Sequence, residues 1–423
     1  MRLLPSQSTS FHHTFPSLQG EGVSRSTKEA LDLERAIDPK EVLALSRNLI
    51  GIPSTCGNEH RISEFIFKKL DKWGLAPDYV PVKGFGPAVV AELGPRNLPS
   101  VVFNGHADTV DVAAGWSRDP FDARVNKGML HGLGSLDMKC GLAELMLAFR
   151  TVADTRATHG TRVCFQAVTG EELTGAGTAT LIRKGHFRRV KAVIVGEGFG
   201  GLEALTNSRR GGSYVDFQVV GKSAHGAMPE KGINAVADAS RLVTALSDMK
   251  MRNASGLTGD DFQPLKESQT VVKIQGGTDC LSVPDTCYVK LVRSTLPGKE
   301  GLVMPEVREV VRSLRLKSKV RFTLEKGLDL YHPHLTPPDS KLVVAAMDAI
   351  RNVTGNWPTL VTGLSEADDN IIAHELGVPV ICFGPGEKGA LAKYHQPDEA
   401  ISVSQLGAAA KAYVLTAMSL AGR

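Results

Sequence analysis

No run of the 423-residue chain approaches the roughly 18 consecutive apolar residues of a membrane span. Met1-Arg2-Leu3-Leu4-Pro5 also stops too early for the apolar core of a signal peptide, so no membrane partner is expected. Charge of one sign is equally scarce. Lys and Arg number 49 against 45 Asp and Glu, and a formal charge of +4 is too weak a field for a nucleic-acid partner. Six cysteines (Cys56, Cys140, Cys164, Cys280, Cys287 and Cys382) form no CxxC pair and no framework of a small secreted domain. They are expected to be reduced thiols in a cytoplasmic protein. The chain has no internal repeat and no GxSxG serine elbow. His374-Glu375 is not followed by a His at 378, so the helix-borne zinc motif is missing too.

What is present is an ordinary globular composition, 42% hydrophobic and 22% charged, which excludes extensive disorder. At roughly 150 residues per domain the length allows two or three domains. Residues 1–37 are rich in Ser, Thr and His and lack an apolar period, so a poorly ordered extension is expected there. From Asp38 the pattern predicts helices over 39–49, 59–73 and 142–152. Apolar runs at 89–91, 101–103, 163–168, 190–195 and 378–383 read as strands. That alternation implies an α/β fold, a sheet with helices on both faces. Between 208 and 326 the order changes to strand 214–220, helix 234–249, strands 270–274 and 286–292, helix 305–316 and strand 319–324. This βαββαβ order is that of an α+β ferredoxin-like module. It predicts an inserted lid domain, 208–326, within a catalytic domain formed by 38–207 and 327–423.

Acids and histidines collect just past the carboxyl ends of the predicted strands, where open α/β sheets place their sites. The run 101–103 leads into His106 and Asp108, 163–168 into Glu171 and Glu172, 190–195 into Glu197, and 378–383 toward His395. Asp137 stands immediately before a helix. Two imidazoles and several carboxylates suit a pair of zinc-like ions. The ligands are too few for two separate sites, so one carboxylate, most naturally Asp137, should bridge. Of the adjacent Glu171 and Glu172, one makes sense as a ligand and the other as a free base. Asp108 could take the second imidazole N–H of His106 and fix its tautomer.

These residues resemble those of the two-zinc amidohydrolases and exopeptidases that include acetylornithine deacetylase, succinyl-diaminopimelate desuccinylase, aminoacylase and carboxypeptidase G. The motifs are His106-Ala107-Asp108-Thr109-Val110, Asp119-Pro120-Phe121, Asp137-Met138-Lys139 with Gly141, Glu171-Glu172, Ala224-His225, Gly384-Pro385-Gly386, and His395 with Asp398-Glu399. The resemblance implies a zinc-exopeptidase-like fold and two divalent metal ions, zinc first, with cobalt or manganese acceptable to the same ligands. It implies that His106, Asp137 and Glu197 hold one ion, that Asp137, Glu172 and His395 hold the other, and that Glu171 is the general base for an attacking water. It further implies a homodimer through the lid, with His225 supplied to the oxyanion, in dimeric relatives from the partner subunit. Leu133, Gly198 and Ser282 depart from residues common among these relatives, Arg, Pro and Asn respectively. None of the three is a ligand or the base.

The substrate expected is an N-acyl amino acid or a small peptide, with exopeptidase or dipeptidase action as the alternative. Arg293, together with the backbone at Gly384 and Gly386, is expected to hold the substrate's α-carboxylate. Two other classes remain to be weighed. Gly196, Gly198 and Gly201 formally fit a dinucleotide fingerprint, yet a second Gly pair, Gly211-Gly212, follows too soon for a crossover helix. A non-catalytic binding protein of the same fold is disfavoured because the base Glu171 is present.

Overall fold

The computed structural model describes residues 36–155, 160–324 and 331–421. The extension expected over 1–37 lies almost wholly outside these residues, as does the expected end of the inserted domain at 326. Asp38 caps the first helix by accepting from Lys40 N at 2.9 Å, and α1 (Pro39–Ile50) buries Val42, Leu45 and Leu49. After α2 (His60–Lys72) come β1 (Asp78–Val80), β2 (Ala88–Leu93), β3 (Ser100–His106) and the central helix α3 (Lys139–Asp154). β4 (Arg162–Val168), the single turn α4 (Glu171–Thr174), α5 (Ala176–Arg183), β5 (Val190–Val195) and β6 (Ala204–Arg209) follow.

The insertion contains β7 (Gly211–Val220), α6 (Ala235–Ser247), β8 (Ser268–Gly276), β9 (Thr286–Thr295), α7 (Val303–Ser313) and β10 (Lys319–Leu324). Its four-stranded sheet has the order β8-β9-β7-β10, antiparallel throughout. One feature was not expected. A hairpin, Asn253–Thr258 with Pro264–Lys266, interrupts the βαββαβ order and leans back on the larger sheet, where Asp260 N donates to Thr362 O at 3.0 Å. Its strands are too short and too polar to show an alternating pattern in the sequence.

The larger sheet is completed by β11 (His334–Leu335), β12 (Thr359–Gly363) and β13 (Val380–Cys382), with α8 (Lys341–Thr354), α9 (Asp368–Leu376) and α10 (Ala408–Leu420) around it. Its order is β1-β2-β4-β3-β5-β13-β6-β11, with β12 on β6. The core strands β4, β3, β5 and β13 are parallel, while the flanking pairs β1/β2, β2/β4 and β11/β6 are antiparallel, which makes the sheet mixed. Helices cover both faces: Val101 and Phe103 pack with α3 and α10, whereas Val102 packs with Leu181 of α5 and Ile372 of α9. Burial on both sides is why these strands read as near-continuous apolar runs. Glu144, inside α3, accepts from Gly407 N (2.9 Å) and Ala410 N (2.6 Å) and so caps α10. The glycines at 196–201 lead into one 3-10 turn, Gly201–Glu203, and straight on to β6, so no crossover helix follows them. No helix among the described residues is long and apolar enough to cross a membrane.

Candidate active site

Because β3, β4, β5 and β13 run parallel, their carboxyl ends open on one edge, and His106, the Glu171 turn and Glu197 stand there together. His106 is the last residue of β3, 2% exposed. Its Nδ1 donates to the backbone carbonyl of Asp108 at 3.0 Å, which turns Nε2 toward Asp137 Oδ1, also at 3.0 Å. Contrary to the expectation from sequence, the Asp108 carboxylate is therefore not the group that orients the ring; its Oδ1 stays 3.9 Å from Nδ1. Oδ2 instead accepts from Glu172 N (3.1 Å) and Cys56 Sγ (3.4 Å), which ties the α4 turn to the end of β3.

Asp137 is held in place by Glu399, which accepts from Gly134 N, Leu136 N and Asp137 N at 3.2, 2.6 and 3.3 Å. The two Asp137 oxygens face opposite ways. Oδ1 meets His106, and Oδ2 meets His395 Nε2 at 3.1 Å. The same Nε2 lies 3.1 Å from Glu172 Oε2. His106, Asp137 and Glu197 thus make one cluster and Asp137, Glu172 and His395 a second, the ligand atoms in each within 4.8 Å of one another.

The electrostatics of this edge call for cations. Burial pushes Glu197 up to about 8, with the Asp137 charge adding to it. Burial likewise raises Glu171 well above the usual range, with Asp368, Glu197 and Glu172 adding and His106 opposing. Asp137 moves the other way: burial would raise it, but hydrogen bonds with His106 and His395 hold it well below the usual carboxylate range. His395 is lifted to about 10 by its hydrogen bonds with Asp137 and Glu172. Glu172 Oε1 is buried without a hydrogen-bond partner. A donor set of imidazoles and carboxylates, rich in uncompensated negative charge, fits two divalent ions. A third cluster, Cys56, Glu59 and Asp108, does not make the same case. Each oxygen of Glu59 already accepts a backbone N–H, from Gly57 and Gly86, each at 2.8 Å.

The remaining expected residues are not gathered here. Arg293 lies on the face of β9 that carries Cys287, Val289 and Leu291, 1% exposed, and pairs with Glu267 (3.1 Å) and Glu306 (2.7 Å). Its guanidinium is committed inside the lid, which corrects the expectation that it reads a substrate carboxylate. Gly384 and Gly386 serve close packing: a Cβ on Gly384 would stand 2.6 Å from Gly196 O, and one on Gly386 2.7 Å from Gly198 O. His225 is exposed on a lid loop, its Nδ1 accepting from Ala227 N at 3.1 Å. Two further supports were not singled out from sequence. Glu399 was visible only as part of a motif, and Asp369, which pairs with Arg209 and His334, carried no signal beyond its adjacency to Asp368.

Comparison with known proteins agrees with this geometry. Over 398 residues the chain is 29% identical to the succinyl-diaminopimelate desuccinylase of Psychrobacter arcticus, covering 90% of this chain and 94% of that protein. Its fold is shared with a tripeptidase from Staphylococcus aureus (TM-score 0.73, 19% identity, 91% of this chain and 99% of the other). It is shared also with a dinuclear metal binding peptidase from Bacillus subtilis (TM-score 0.68, 15% identity, 90% and 98%). Residues 102–419 match the family described as Peptidase family M20/M25/M40. That match spans most of the chain and contains every candidate ligand, so the chain belongs to peptidase family M20/M25/M40 and is a hydrolase of amide bonds.

Proposed function

We propose that the protein hydrolyses the amide bond of an N-acyl amino acid or a small peptide at a two-metal centre. The observation that carries this reading is Asp137, whose two oxygens each face a different histidine. His106, Asp137 and Glu197 would hold one ion and Asp137, Glu172 and His395 the other, with zinc favoured by the donor set. When bound, the ions polarise the scissile carbonyl and make a water acidic enough to deprotonate near neutral pH. Glu171, which belongs to neither ligand cluster, accepts that proton and delivers it to the departing amine. Asp108 fixes the turn that carries Glu171 by accepting from Glu172 N. Gly384 and Gly386 bring their backbone close to the Gly196–Gly201 loop beside the centre, where their N–H groups could meet a substrate anion.

The unit that acts is a homodimer of chains, each with a catalytic domain of residues 38–207 and 327–423 and a lid of 208–326. β8 is an edge strand with Val272 53% and Ile274 50% exposed, beside Tyr288 of β9 at 50%, and a second lid would cover it. His225 would then serve the neighbouring copy as oxyanion donor, in keeping with its exposure here. The six unpaired thiols support a reducing, cytoplasmic compartment. The test is Glu171→Gln, assayed on N-acetyl, N-succinyl and dipeptide substrates. It should keep its metal content and lose roughly 10²- to 10⁴-fold in kcat; near wild-type turnover would refute the assignment.

A further inference from the structure

His395, the outer histidine, stands on a loop with little regular structure of its own. A single 3-10 turn, Ala390–Lys393, precedes it, and its imidazole is exposed. The residue directly before it is placed quite differently. Tyr394 is 7% exposed and packs into the largest core cluster, beneath the sheet edge. Its Oη donates to the backbone carbonyl of Gly198 at 2.9 Å, and Gly198 follows the inner candidate ligand Glu197 in the chain. A buried hydrogen bond therefore runs from the neighbour of an outer ligand to the neighbour of an inner one.

Both ends of that bond are held by packing. A Cβ on Gly198 would stand 2.5 Å from both the N and the O of Gly384, so the loop that carries Glu197 is pressed against the turn after β13 and its carbonyl has a fixed direction. The Tyr394 ring stacks on Phe199, centroids 5.2 Å apart and planes 28° from parallel. Phe199 also carries the Arg209 guanidinium, 5.1 Å from its centroid, and Arg209 is itself fixed by Asp369 at 2.5 Å. On the other flank of His395, Glu399 accepts from the N–H groups of Gly134, Leu136 and Asp137. The outer histidine is thus tethered on both sides, each time to a segment that carries a ligand of the inner half: to Glu197 through Tyr394, and to Asp137 through Glu399.

We propose, on the footing of the two-metal reading, that Tyr394 is a positioning residue that sets His395 relative to Glu197 and so makes the outer site depend on the inner loop. It acts through the backbone of its neighbour and not by contact with the ions or the substrate. The stack on Phe199 fixes the plane of the ring, whereas the hydrogen bond fixes its distance from Gly198, so a phenylalanine would keep the first constraint and lose the second. It would also leave the buried Gly198 carbonyl without this donor. Glu197 follows β5 directly and keeps the support of the sheet, so the loss should fall on the outer half.

Tyr394→Phe tests this, with Tyr413→Phe as its control. Tyr413, in α10, is another buried phenol whose Oη donates to a backbone carbonyl, that of Phe383 at 2.6 Å, and neither residue adjoins a candidate metal ligand in the chain. Chelator-stripped wild type and both variants are titrated calorimetrically with Zn²⁺, and their thermal unfolding is followed without metal. Both variants are expected to unfold at a lower temperature than wild type, since each loses one buried hydrogen bond. Tyr394→Phe alone should weaken the outer ion, by about tenfold, within the range for groups that hold a ligand from behind, and leave the inner ion as in wild type. Added to His395→Ala, which removes the outer site, Tyr394→Phe should change the remaining ion no further. Wild-type affinity for both ions in Tyr394→Phe, or the same loss of outer-ion affinity in Tyr413→Phe, would overturn the positioning role while leaving the two-metal centre intact. A wild-type protein that takes up no zinc would remove the two-metal reading, and this inference with it.

Discussion

The two halves of the candidate metal centre share Asp137 and differ in what holds the rest. The inner half takes His106 from the end of β3 and Glu197 from just beyond β5, 2% and 5% exposed, so its ligands extend from the stiffest part of the sheet. The outer half takes Glu172 from a single helical turn and His395 from a loop, where the imidazole is 46% exposed and the backbone sits at a left-handed φ of 59°. One half is therefore built by the fold and the other is attached to it. The inner ion should be held by pre-positioned ligands, and the outer one should exchange more readily. His395 carries a proton up to about pH 10 without an ion, and that proton must leave before its nitrogen can bind. Affinity should accordingly fall as pH falls, and in both halves, because His106, which burial would lower, is raised well above the usual imidazole range by its hydrogen bond with Asp137.

The strongest way to break this comparison is to remove one histidine from each half. His106→Ala should cost metal affinity well beyond the roughly 10- to 100-fold typical of an outer partner, and it should disturb both ions because it frees Asp137. His395→Ala should lose one ion per chain and retain the other, as read by metal analysis after dialysis. Equal losses in the two variants would show that the halves are not distinct. A smaller effect is expected from Glu399→Gln, which keeps one acceptor oxygen but loses the other and the charge that gathers the N–H groups of the Asp137 loop. Both ions should weaken together by about tenfold, within the range for second partners; a change confined to one ion would shift the role of Glu399 to that half alone.

The inner half was the more legible in sequence, for the same reason that it is the more rigid. A strand buried on both faces is an apolar run, and a charged residue directly after it has few places to go except the sheet edge. His106 and Glu197 follow such runs. His395 stands well beyond β13, and only its motif, not its periodicity, pointed to it. Side-chain direction was harder to read. That Asp108 would offer its backbone carbonyl to His106 and its carboxylate to Glu172 depends on one rotamer, which no spacing encodes. Arg293 could have been read better: Cys287, Val289, Leu291 and Arg293 alternate along β9 and must share a face, and that face packs under the lid helices rather than over the centre.

The claim on which all of this depends is that a single shared Asp137 serves two ions. Calorimetric titration of chelator-stripped protein with Zn²⁺ at neutral pH, checked by elemental analysis, tests it most directly. Two ions per chain are expected, one tight and one weaker, with stoichiometric uptake of both lost in Asp137→Asn. Saturation at one ion per chain with full activity, or an Asp137→Asn protein that still binds two, would contradict it.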